Sequence, residues 1–196
     1  MVTRVFVDAN ILFSRTLRDW LFLLRNQTNA SMFTVYSSED VLAETLYRYR
    51  RKHPTAPGQL IASIRERVVE QLDVLVTAYE IDGSFPGNDK NDAHVHAAAC
   101  AAAADTLLTL DAGFTKMPPD VLDALTYEVH SPDSLFTLVD DANPAAVREV
   151  TRQQLDYWFG RDGEVDLAKR LRDAGCPEFS RRVAGHVRQL NWTPRP

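Results

Sequence analysis

Cysteine is scarce, with only Cys100 and Cys176 in 196 residues. Two thiols build neither a disulfide framework nor a cysteine-ligated zinc site by themselves, so a reducing cytoplasm is the expected setting. Long apolar runs are missing too. The longest soft stretch, Ala97 to Ala104 with a cysteine inside it, falls far below the roughly 20 residues of a membrane span. The N-terminus reaches Arg4 and Asp8 too soon for a signal peptide, and no membrane partner is expected. Internal repeats and low-complexity segments are also lacking. A basic excess, which nucleic-acid phosphates favour, is absent: 22 Lys and Arg stand against 27 Asp and Glu, a net charge of −5.

That average hides an asymmetry. Residues 142–196 hold ten Lys/Arg and seven Asp/Glu, net +3, which leaves residues 1–141 with twelve against twenty, net −8. An acidic body fits ordinary solubility, and it fits equally a metal centre counted without its cations. The hydrophobic content of 45% is enough to bury a real core.

Val2 to Val7 is a β-branched and aromatic run that predicts a strand, and the stripe Leu12, Leu17, Trp20, Leu21, Leu23, Leu24 predicts a helix after it. Phe33 to Tyr36 reads as a second strand, followed by Ser37-Ser38-Glu39-Asp40 as the cap of a helix whose last turn is basic. A further helix is expected over 59–72 and a strand over 74–79. An alanine-rich helix ending at Ala104 follows the polar loop 82–92, and a buried strand over 106–110 ends at Asp111. Residues 126–130 supply a last strand and 132–141 a short helix. The alternation predicts an α/β sandwich with a central, mostly parallel sheet covered on both faces. Beyond Asn143-Pro144 the pattern is helical throughout, so the expected division is a domain at 1–141 and a small helical extension at 142–196.

In such a sheet, ligands bind where strand C-termini and helix N-termini converge. Asp8 and Asp111 end strands, Asp92 begins the alanine helix, and Glu44 lies in the helix after the second strand. Four acids at one edge repel each other unless a divalent cation is present, and hard oxygen donors suit Mg2+ or Mn2+. Such a site suits metal-assisted phosphodiester hydrolysis, with Asn10 and Thr109 as polar support. Each residue has a plainer role beside this one. Asp8 caps the next helix, Asp92 complements a helix dipole with Asp89 as N-cap, Glu44 is solvated, and Asp111 makes a turn. By charge alone, Asp8→Asn is expected to leave the fold intact or to stabilise it.

Four segments, in this order and spacing, resemble the PIN domain, and within it the VapC toxins of bacterial toxin–antitoxin pairs. They are Val5-Phe-Val-Asp8-Ala-Asn10-Ile-Leu12, Ser38-Glu-Asp-Val-Leu-Ala-Glu44, Asp89-Lys-Asn-Asp92-Ala-His-Val-His-Ala-Ala-Ala99 and Ala104-Asp-Thr-Leu-Leu-Thr109-Leu-Asp111-Ala-Gly-Phe114. The resemblance spans roughly residues 4–140. It implies a metal-dependent endoribonuclease acting on structured RNA such as transfer RNA. Asp8, Glu44, Asp92 and Asp111 are then the metal-holding acids, and Asp89 is secondary. A VapB-like antitoxin that covers the acidic site is implied as partner, and dimerisation is common in these folds. The helical tail resembles an extension found in one larger subgroup.

Arg15, Arg18, Arg48, Arg50, Arg51 and Lys52 are the candidate RNA contacts, the last four clustered at one helix end where a solvated terminus is the plainer reading. His94 and His96 invite a zinc reading, but residues i and i+2 of a helix face different ways, so packing or RNA contact is expected of both. Trp158, Phe159 and Trp192 beside arginines are compatible with stacking on bases, while a core is expected for Trp158 and Phe159. A haloacid-dehalogenase-type phosphatase also starts with an aspartate after its first strand. It needs a second aspartate two residues on, and Asn10 stands there. The pattern is also compatible with a non-catalytic RNA-binding module or with an RNA-maturation nuclease.

Overall fold

The computed structural model describes residues 2–87, 89–163, 165–190 and 192–193. Its strands are β1 (Thr3–Val7), β2 (Phe33–Ser38), β3 (Val74–Val76), β4 (Thr106–Leu108) and β5 (Glu128–His130). All neighbours pair in parallel, in the order β3-β2-β1-β4-β5. From β1 the chain first builds outward through β2 and β3, then returns to place β4 on the other side of β1. The strand order reverses between β1 and β4, and the crevice beyond their C-terminal ends is where an open parallel sheet binds ligands.

The helices are α1 (Ala9–Phe13), α2 (Arg15–Gln27), α3 (Glu39–Lys52), α4 (Gly58–Val69), α5 (Ala93–Ala101), α6 (Ala112–Thr115), α7 (Pro119–Asp123), α8 (Pro132–Ala142), α9 (Pro144–Asp162), α10 (Leu167–Asp173) and α11 (Pro177–Gln189). The chain forms two compact units, one of residues 1–15 and 33–131, the other of residues 16–32 and 132–196. Among the described residues, no helix is long and apolar enough to cross a membrane.

The first unit is the α/β body. Val5, Phe6, Val7, Val35, Leu107 and Leu108 are buried on the strands, with Ile11, Leu12, Val41, Leu42, Val95 and Ala98 buried on the flanking helices. This near-continuous apolar content is what a parallel sheet covered on both faces requires. The single helix expected after β1 is interrupted at Ser14, whose backbone is extended (φ −71°, ψ 112°). The expected strand over 106–110 ends at Leu108, which pairs with Val7 and His130, the last residues of its two neighbours; the Thr109 N–H still donates to the His130 carbonyl.

The second unit consists of α2 from Thr16 onward together with α8–α11. Trp20 meets Phe179 edge-on at 5.0 Å and Phe136 lies 5.2 Å from Phe179, which makes Phe179 the centre of its core. Asp133 accepts hydrogen bonds from the Glu178 and Phe179 backbone N–H groups at the start of α11. Trp158 is buried as expected, with the Arg170 guanidinium 3.8 Å above its ring. Phe159 is half-buried against Trp192 at 5.5 Å.

Candidate metal centre

Asp8 leaves β1 with an extended backbone and starts α1. It is buried, at 5% exposure, and both of its oxygens are occupied. Oδ1 accepts from the Ala9 N–H, and Oδ2 accepts from Asn10 Nδ2 and, at 2.6 Å, from the Thr109 hydroxyl. Thr109 follows β4, so this bond ties together the two strand ends that flank the crevice. The Thr109 oxygen in turn accepts from the Asp111 N–H at 2.9 Å, while Asn10 Oδ1 accepts from the Leu110 N–H at 3.0 Å. Asn10 and Thr109, expected as polar support, form the frame that holds Asp8 and the 109–111 turn.

Asp111 begins α6 and accepts from the Gly113 N–H at 2.7 Å. Asp89 caps the single 3-10 turn Lys90–Asp92 by accepting from the Asn91 N–H, which delivers Asp92 to the head of α5. Asp89 is the cap, as the plainer reading of this turn has it, and Asp92 stands in the first turn without capping. It makes no cap hydrogen bond, and Oδ2 is buried without any hydrogen-bond partner. Gly113 explains how Asp92 and Asp111 come together. A methyl group there would collide with the Asp92 carboxylate and lie 3.1 Å from Asp111 Oδ1.

The electrostatics agree with an acidic cluster. Burial pushes the Asp92 carboxyl up to about 6, and the charges of Asp111, Asp89 and Asp8 add to the effect while His94 opposes it. Burial also raises Asp8 above the ordinary carboxylate range; the Thr109 and Ala9 hydrogen bonds pull the other way, with Glu44 raising it and Arg48 lowering it. Glu44 joins from α3. Its Oε1 accepts two hydrogen bonds from Arg48, at 2.9 and 2.6 Å, and its Oε2 lies 3.9 Å from His94 Nε2.

All four sequence-chosen acids therefore lie in the same unit, within electrostatic reach of Asp8 or Asp92. Asp92 and Asp111 meet at Gly113, Glu44 lies beside His94, and Asp8 is coupled to both Glu44 and Asp92 through their charges. Among the described residues, no three or more acid, histidine or cysteine side chains already converge as a ligand group. The donor chemistry nevertheless fits a hard divalent cation: a buried carboxylate oxygen without a partner, beside further carboxylates, is what such an ion satisfies.

Of the basic candidates, Arg48 is committed to Glu44, and Arg50 donates to the Pro54 and Ala56 carbonyls. Arg51 and Lys52 are exposed, lying over the Tyr47 and Phe13 rings respectively. Arg15 is exposed, and Arg18 belongs to the helical unit with Nε 4.0 Å from Asp19. Sequence reasoning gave His94 packing or RNA contact rather than a place beside the acids. The Gly in Asp111-Ala-Gly113 was visible as a turn signal, but the collision it avoids was not. Concavity is no guide here: an open depression of about 740 Å³ lies at the other end of the strands, around Asp105, Tyr127 and Glu128.

A family model described as PIN domain matches residues 4–113, more than half of the chain, a span within which the four acids lie. No curated protein and no solved structure matches it.

Proposed function

The chain belongs to the PIN-domain family, and on that premise we propose that it is a divalent-cation-dependent endoribonuclease, the toxin of a VapBC-type pair, acting in the cytoplasm on structured RNA such as transfer RNA. The observation that carries this reading is the buried, unpartnered Asp92 Oδ2 beside Asp111, in a cluster whose mutual repulsion helps hold Asp92 up at about 6. Asp8, Asp92 and Asp111 would hold Mg2+ or Mn2+, with Glu44 holding it or positioning the attacking water. When bound, the cation acidifies water and neutralises charge on the phosphate and the leaving oxygen.

The chain's own part is positioning. Asn10 and Thr109 lock Asp8 Oδ2, the Thr109 oxygen fixes the start of the 109–111 turn, and Gly113 leaves room for the Asp92 carboxylate. Arg48 fixes one oxygen of Glu44 and leaves the other toward the cluster. The exposed end of α3, with Arg51 and Lys52, supplies cationic contacts for RNA phosphates. An antitoxin that covers this edge would silence all of these groups at once.

The test is purified protein on total RNA in Mg2+, Mn2+ or EDTA, with new 5′ ends mapped by sequencing. Asp92→Asn is the better control than Asp8→Asn, because the donors around Asp8 would meet an amide N–H. Discrete cuts that need the cation and vanish in Asp92→Asn are expected. The Arg48–Glu44 ion pair supports a second reading, a non-catalytic RNA-binding module in which an arginine takes over part of the cation's role. RNA retained without cuts in any condition would select it. An RNA-maturation role shares the same residues and is separated from toxicity by the absence of a neighbouring antitoxin gene.

A further inference from the structure

We propose that His94 Nε2 is a nitrogen donor to the cation of the acidic cluster, and that it makes the site prefer Mn2+ and Co2+ over Mg2+. The inference rests on the metal reading above and adds a ligand of a different kind. His94 lies in the first turn of α5, and its Nδ1 is 2.7 Å from the Asn91 carbonyl oxygen. A carbonyl only accepts, so Nδ1 carries the hydrogen, and in the neutral ring Nε2 bears the lone pair. A ring held through one nitrogen by a backbone carbonyl, with the other nitrogen free to bind, is the usual arrangement of a metal-binding histidine.

Nε2 is buried and has no hydrogen-bond partner. Among the described residues four buried side-chain nitrogen or oxygen atoms lack one, and two of the four, Asp92 Oδ2 and His94 Nε2, fall within three residues at the head of α5. Glu44 faces the same point from α3: Arg48 takes its Oε1, and its Oε2 is 3.9 Å from His94 Nε2. A charged imidazolium beside a carboxylate normally closes to about 2.7–2.9 Å. Two donors of one cation, each about 2.1 Å from it, lie roughly 3.0–3.4 Å apart. At 3.9 Å the two atoms do not form a closed ion pair, and a closure of about 0.5–0.9 Å would bring both onto one cation.

The neighbouring histidine marks the contrast. His96 Nδ1 takes the Tyr127 hydroxyl at 2.7 Å and its ring lies against Cys100 and Phe85, so it is committed to the interior. The two-residue spacing that separates the rings is therefore what frees His94 for the acids. One imidazole among carboxylates favours transition divalents over Mg2+, whose preferred ligands are all oxygen.

The experiment is metal binding in the absence of RNA, using calorimetry with Mg2+, Mn2+ and Co2+ on the full chain, His94→Gln and Asp92→Asn. It is paired with pulsed electron paramagnetic resonance of the Mn2+-loaded wild type. A 14N coupling to Mn2+ is expected in the wild type. In His94→Gln that signal should vanish and Mn2+ affinity fall by roughly tenfold or more, while Mg2+ affinity changes about twofold at most. Mn2+ bound without nitrogen coupling, or bound equally well or better by His94→Gln, overturns the proposal and leaves the oxygen-only site standing. Failure of the wild type to bind any of the three cations overturns both. Cation binding with the nitrogen signal but no RNA cleavage upholds His94 and defeats the nuclease reading.

Discussion

A carboxylate crowded by other acids and partly buried is harder to ionise than one in water, and Asp92 carries that cost. Its folded value of about 6 lies above the ordinary 3.8. Between those two values the folded chain holds more protons than the unfolded one, so stability falls as pH rises through the window and the penalty is complete above about 6. In EDTA, Asp92→Asn is expected to raise stability at neutral pH by on the order of 1 kcal/mol, discounted because the group is partly exposed. Melting temperature against pH should be flatter over pH 4–6 than in the wild type. A steeper slope would mean that the repulsion has been misplaced. Gly113→Ala acts at the same point by volume. The added methyl meets the flexible end of Asp92 rather than backbone, so the fold should tolerate it while cation affinity drops about tenfold or more, read by calorimetry alongside an unchanged circular dichroism spectrum. The acids themselves were legible in the sequence because strand ends and helix starts are legible. The collision that Gly113 avoids and the unpaired Nε2 of His94 were not, since each depends on what surrounding side chains bring near once the chain has folded, whereas the Arg48–Glu44 pair is a local i,i+4 contact.

Helix ends decide where the side chains are delivered. Ser38 closes β2 and caps α3 by accepting from the Val41 N–H, and it is fully buried. Ser38→Ala should cost about 1 kcal/mol by denaturant titration, and because α3 carries Glu44 one turn further on, cation affinity should weaken with it. An unchanged midpoint would show that the cap is dispensable. The cap was foreseen because Ser-Ser-Glu-Asp before an apolar periodicity has few other meanings. Element lengths were less accessible. The strand expected over 74–79 stops at Val76 and the one over 106–110 at Leu108. Pattern alone extends a strand as far as residues remain apolar, whereas pairing ends it where the neighbour ends. Likewise nothing in the Leu12–Leu24 stripe announces the extended backbone at Ser14.

Across the molecule, charge is unevenly spread: the net of −5 combines −8 over residues 1–141 with +3 over residues 142–196. The RNA binding proposed for this acidic chain would depend on a few local cations, and Arg51 and Lys52 at the end of α3 are the exposed ones on the helix that also carries Glu44. Replacing Arg50, Arg51 and Lys52 together by glutamate should weaken RNA binding across sequences and lower the slope of log affinity against log salt by about one for each phosphate no longer neutralised. An unaltered salt slope would move the RNA surface elsewhere. By itself, the sequence determined the α/β class, the four acids and the helical character of the last third, because hydrophobic period and turn chemistry are local. Only the tertiary structure decided that α2 and α8 group with the C-terminal helices, that Thr109 binds Asp8 across two strands, and that Asp92 is left without a partner. Those facts concern pairs of residues up to 101 positions apart, and the burial that gives them their energy exists only once the segments have packed.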